Sequence, residues 1–158
     1  MPSNLFLTPI TNLQSLLAGT ARWQELTGAE SAAAAAAAIY KQSCGDEDKH
    51  PRPRAIVGTT GNRSLRRITT TGFQMTAPLF LEIQLDTPDE YIGDHNAAFD
   101  WFMLEVETLI EQMAGLAGTD GYLDVTEFLE AEPPLPFAEE LNDGREYWGT
   151  IWEIEIIG

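Results

Sequence analysis

The chain has a single cysteine, Cys44, and two histidines, His50 and His95, in 158 residues. One thiol closes no intrachain disulfide, so stability must come from a packed core, and the expected compartment is a reducing one. Neither histidine has a cysteine or second histidine at ligand spacing, so no zinc site is expected. Cations are also scarce. Nine Lys and Arg stand against 25 Asp and Glu, a net charge of -16, and nucleic-acid affinity is built largely from cations that neutralise phosphates. Nonspecific DNA or RNA binding is therefore disfavoured. Long apolar runs are missing as well. The longest, Ala32 to Ile39, is nearly all alanine and falls far short of the roughly 20 residues that cross a bilayer. No membrane partner is expected. The first basic residue is Arg22, so no secretion leader with a charged start is expected.

What remains is ordinary globular composition, 44% hydrophobic and 22% charged. That is enough for one core in one domain over residues 1–158. The charge is unevenly spread. Met1 to Leu81 carries eight basic and five acidic residues (+3), and Glu82 to Gly158 carries one basic and twenty acidic (-19). Seven of the nine cations, Lys41, Lys49, Arg52, Arg54, Arg63, Arg66 and Arg67, fall in one 27-residue stretch. On the plain reading these side chains answer the molecule's own carboxylates or stay solvated. On the sharper one they form a basic arm that meets the acidic surface of the next copy, a heterologous contact of the kind that closes rings.

Along the chain, Ile10, Leu13, Leu16 and Leu17 recur at helical spacing, with Thr11 or Asn12 near the start as a cap. Gly19 and Thr20 interrupt this helix, a short turn carries Trp23 and Leu26, and Gly28 ends it. The seven alanines Ala32–Ala38 predict a helix from Ala29 to Tyr40, because alanine has the highest helix propensity. Cys44 to Pro53 reads as an exposed loop. Ala55, Ile56 and Val57 suggest a strand, Gly58 to Asn62 a turn, and Ser64 to Thr71 the return strand of a basic hairpin over 54–72 that needs a partner surface. Leu79, Leu81, Ile83 and Leu85 alternate with Phe80, Glu82 and Gln84, which predicts a half-buried strand. Asp94 stands where a helix cap belongs. Phe99, Phe102, Met103, Val106, Leu109, Ile110 and Met113 follow as the apolar stripe of a helix that covers the sheet, with Glu105, Glu107, Glu111 and Gln112 elsewhere around it. Trp101 and Leu104 fall roughly opposite the stripe and need a second partner, from the same chain or a neighbouring subunit. Tyr122 to Leu129 reads as a further strand, Pro133, Pro134 and Pro136 as an irregular link, and Trp148 to Ile156 as an apolar strand inside the sheet. The fold class is α+β: a single, mostly antiparallel β-sheet packed on one side by helices, with a protruding basic β-hairpin. Its parts are a helical segment 1–40, the hairpin arm 54–72 and a β-α-β-β core over 77–158.

Signals for chemistry are few. Asp120-Gly121-Tyr122-Leu123-Asp124-Val125-Thr126-Glu127 resembles the second half of an EF-hand loop, which keeps a calcium-responsive binding module over 116–127 as an alternative. Aligned on Gly121, however, Leu116 and Gly118 occupy positions that need oxygen ligands, and Pro133 and Pro134 cut off the exiting helix. A turn from helix to strand at Gly118–Gly121 explains the same residues. Cys44 and His50 share a charged, proline-punctuated loop with no apolar wall to shift a pKa. No Gly-x-Ser-x-Gly elbow occurs. The loop Gly58–Ser64 lacks the lysine-serine ending of a phosphate cradle. No catalytic set, cofactor or metal is expected.

The order of elements carries more. A helical N-terminal segment leads to the basic hairpin, the alternating strand Leu79–Leu85, the amphipathic helix Asn96–Ala114 and two closing strands joined by an acidic, proline-containing link. Local wording at Tyr122–Thr126, Pro133–Pro136 and Asp143–Trp148 accompanies it. In this outline, over most of its length, the chain resembles the tail-completion or tail-terminator proteins of long-tailed bacteriophages. The resemblance implies a structural virion protein, assembled in the host cytoplasm, that forms a ring, often six-fold. Such a ring caps the tail tube and contacts tube and neck or connector proteins without a cofactor. A neck or stopper protein of the same connector fits equally. DNA would pass through an acidic lumen without sequence-specific binding. Arg63, Arg66, Arg67, Trp101 and Leu104 are the candidate contact residues.

Overall fold

The alternation at Leu79–Leu85 sets the plane on which the molecule is built. In the computed structural model, which describes residues 7–41, 51–59, 64–67, 73–76, 79–122, 127–130, 135–141 and 146–157, Leu79, Leu81, Ile83 and Leu85 are all at most 2% exposed. They belong to a strand of a six-stranded sheet. The elements in chain order are helices α1 (Leu7–Gly19), α2 (Ala21–Thr27) and α3 (Ala32–Ala36), then strands β1 (Ile39–Lys41), β2 (Arg54–Thr59), β3 (Ser64–Arg67), β4 (Phe73–Thr76) and β5 (Leu79–Asp86). A 3₁₀ turn (Asp89–Tyr91), helix α4 (His95–Leu116) and strands β6 (Glu127–Glu130), β7 (Leu135–Glu140) and β8 (Glu146–Ile157) complete it. The sheet order is β1-β2-β5-β8-β6, with β7 also paired to β8, and only the β1–β2 pair is parallel. Strands β3 and β4 form a separate antiparallel ribbon.

All four helices pack on one face of this sheet. One apolar cluster unites Leu13, Leu16 and Leu17 of α1, Trp23 of α2, Ala35 of α3 and Phe102, Val106, Leu109 and Met113 of α4 with Ala55, Val57, the four β5 residues, Trp148 and Ile154. Each leucine fully withdrawn from water contributes about 2 kcal/mol, and this shared cluster binds the layers. The fold is thus α+β, one mostly antiparallel sheet covered by helices. Thr11 and Asn12, expected as the cap of the first helix, instead lie inside α1, which begins at Leu7, whereas α2 and α4 are capped by side chains that favour that position. The Thr20 side chain accepts from the Trp23 N–H, Gly28 takes φ 67° to end α2, and Asp94 accepts from the Ala97 N–H to start α4;.

Three further expectations are corrected. The alanine helix is five residues long, capped by Ser31, and Ile39–Lys41 instead joins the sheet beside Ala55–Val57. Alanine favours a helix but has little to bury, whereas Ile39 gains a core position, 3% exposed, by becoming a strand residue;. The hairpin also differs in register. Arg54–Thr59 pairs with β5, so Ser64–Arg67 lies on the outgoing limb and Phe73–Thr76 is its return. Finally, the proline-rich link contains a strand. Leu135–Glu140 pairs with Glu146–Ile151 at the edge of the sheet, where Pro136, lacking an N–H, is tolerated;.

Candidate functional site

Helix α4 presents two different faces. Inward it buries Ala98, Phe102, Val106, Leu109 and Met113. Phe99, part of the expected stripe, is instead 39% exposed and meets the edge of Trp148. Outward, at about 100° per residue, Leu104 falls between Trp101 and Thr108 on one side and Asp100, Glu107 and Glu111 on the other. Leu104 is 63% exposed, the highest value among the large apolar side chains described, and all three carboxylates are exposed with it. Trp101 is half-buried and finds a partner in its own chain: its ring stacks on Tyr91 of the 3₁₀ turn at 6.2 Å. Of the two residues opposite the stripe, Leu104 is the one that stays open.

The ribbon places Arg66 opposite Gln74 and Arg67 opposite Phe73. Arg63 lies outside the described residues, as do Lys49, Cys44, His50 and the rest of the loop 42–50. The cations nearer the sheet are used within the chain. Lys41 Nζ donates to Thr11 Oγ1 at 3.0 Å, Arg52 Nε to Asp86 Oδ1 at 2.6 Å and the buried Arg54 Nε to Gln84 Oε1 at 2.8 Å. For Arg52 the plain reading of the basic stretch therefore holds.

Two polar assemblies went unread in the sequence. On the sheet face opposite the helices, Arg52 lies 4.4 Å from the Tyr147 ring centroid while the Tyr147 hydroxyl donates to Glu139 at 2.6 Å. Burial, followed by that hydrogen bond to a carboxylate, pushes the Tyr147 phenol up to about 12;. Beside them, Gln84 Nε2 donates to Glu82 Oε1 at 2.8 Å. On the helical face, Arg22 of α2 makes paired bonds to Glu105 of α4, one of them 2.6 Å, and a further bond to Glu25. The Glu105 bond holds the guanidinium above the ordinary arginine range. Glu105 is 8% exposed, not on the solvated side where its charge suggested. The signal was present in its position at the margin of the apolar stripe. Glu139 gave none, because prolines masked its strand.

The EF-hand-like segment forms a turn where the structure describes it. Gly118 and Gly121 take φ 77° and 89°, Tyr122 N–H donates to the Thr119 carbonyl, and Glu127 opens β6 rather than a helix. Residues 123–126 lie outside the described set. His95 is exposed, its ring 5.1 Å from Trp148 and its Nδ1 3.8 Å from Glu146. Among the described residues no group of three His, Cys, Asp or Glu side chains is placed to hold a metal ion, and no helix is long and apolar enough to cross a membrane. The chain matches no family model and no curated protein sequence. Among the described residues, the outer face of α4 offers an exposed leucine bordered by carboxylates.

Proposed function

We propose that this chain is a structural protein of a phage particle whose copies form a ring that terminates the tail tube and joins it to the head side. The observation that supports this reading best is the division of the fold into an arginine-bearing ribbon, a sheet of its own, and an acidic body whose long helix leaves Leu104 bare. Such a molecule has two unlike surfaces, and unlike surfaces on identical copies join head to tail and close when the rotation permits. The succession of a helical segment, a hairpin, the alternating strand and the long helix supports this reading, although the fold adds β1 and closes with three strands where the outline has two. An acidic ring repels a phosphate backbone, which suits a passage through which DNA slides.

The test is the mass of the purified chain in solution with electron micrographs of the same sample, alone and with tail tubes. Expected is a closed oligomer, six copies in the commonest form, seated on tube ends. A chain that stays monomeric in both samples and leaves tube ends bare overturns the reading.

A further inference from the structure

Independently of how copies associate, we infer that one water molecule is a fixed part of the core, bound between Trp148 and Thr150 of β8 beneath α4. Two unanswered polar atoms carry this. Trp148 is 3% exposed and Thr150 0%, yet neither Trp148 Nε1 nor Thr150 Oγ1 has a hydrogen-bond partner in the chain. The same two kinds of group are met directly where the helices bury them. Trp23 Nε1 donates to the Ala35 carbonyl at 3.2 Å, and Thr20 Oγ1 to the Leu17 carbonyl at 2.7 Å. A buried donor left unbonded gives up its bonds to solvent for nothing in return, so such groups pair with protein or with ordered water.

The surroundings leave water as the partner. Residues two apart on a strand point to one face, with Cα atoms about 6.6 Å apart. Register sets Trp148 between Leu85 and Ala138, and Thr150 between Ile83 and Pro136, so the flanking strands bring no polar side chain to that face. From the helix above, Phe102 stacks on the Trp148 ring at 5.9 Å and Phe99 meets its edge. One water reaches groups up to about 5.8 Å apart through two ordinary hydrogen bonds, a span that suits neighbours on one strand face. Ala138 and Pro136 are short beside the aromatic residues, and a water needs room as well as partners. The bonding is complementary: the indole N–H only donates, whereas the hydroxyl donates and accepts. Water accepts from Trp148 Nε1 and donates to Thr150 Oγ1. Valine has nearly the shape of threonine and would be the better core residue at a dry position.

The test has two readouts, both on the full-length chain. A crystal structure of the wild type, at a resolution that shows ordered water, is expected to place one within hydrogen-bond distance of both atoms. Side chains filling that space, or either atom bonded elsewhere, overturn the inference. The second readout is the sign of Thr150→Val. With the bridge present, the substitution strips the water of a partner, and the melting temperature is expected to fall by about 3 °C. An unchanged or higher melting temperature, the result of deleting an unbonded hydroxyl, overturns it. If Thr150→Val fails to fold, the wild-type crystal structure decides alone.

Discussion

At the scale of single residues, a paired polar contact joins elements distant in sequence. Arg22 and Glu105 tie the short α2 to the long α4, and the Arg22 backbone N–H adds a 2.8 Å bond to Gln112 Oε1. Removing the guanidinium leaves a nearly buried carboxylate without its partner, which costs more than the pair itself is worth. Arg22→Ala is therefore expected to lower stability by about 2 to 3 kcal/mol in a urea melt, the partial exposure of the guanidinium keeping it below the fully buried case;. Glu105→Gln, which keeps the shape and one acceptor, is expected to cost less. Tyr147 adds a pH dependence. Its phenol holds the proton more tightly in the folded chain, near 12, than the ordinary value of about 10;. That contribution is complete below about pH 10 and is lost as the pH climbs through about 12, at most about 3 kcal/mol. Phenolate absorbance is expected to show one late-titrating tyrosine in the wild type that disappears in Tyr147→Phe. Glu105 was half-legible from its place beside Val106, whereas the Tyr147–Glu139 bond required a strand that the sequence concealed.

At the scale of elements, β7 is the lesson. Three prolines within four positions argue against a strand anywhere except an edge, and an edge is where Leu135–Glu140 lies;. It is held there by an aromatic contact over a bare backbone: Phe137 pairs with Gly149, and a Cβ at Gly149 would come within 2.4 Å of the Phe137 ring. Gly149→Val is expected to destabilise by about 1 to 3 kcal/mol through overpacking. In a Phe137→Ala background the same change is expected to be neutral or stabilising, since valine suits a strand better than glycine. A double-mutant cycle on thermal melts checks it, additive costs counting against the contact. Strands and helices with strong periodicity, β5, β8, α1 and α4, were legible because burial enforces their pattern. The alanine run was not, because propensity without bulk yields to a neighbouring strand that offers Ile39 a place in the core.

At the scale of the whole molecule, charge is segregated along the sequence, and the fold uses part of the basic stretch within the chain. Arg52 and Arg54 are engaged on the sheet, while Arg66 and Arg67 sit on the ribbon beyond it. The opening of Leu104 was legible from helical phase, and the stacking of Trp101 on Tyr91 was not, because the 3₁₀ turn that carries Tyr91 leaves no periodic trace in three residues. If association is electrostatic in register, raising salt from about 0.05 to 0.5 M is expected to dissociate the oligomer measured by light scattering. An assembly indifferent to salt would mean that apolar contact alone holds it.

The two borders of the main sheet bear on a different hazard. One is the three-residue β1, the other is shared by the four-residue β6 and by β7, which carries Pro136, whose nitrogen has no hydrogen to give. Among the described residues, neither border presents a long run of amide groups on which another chain could lay itself down. If copies associate as proposed, these borders leave little main chain for fibril growth and leave recognition to side chains.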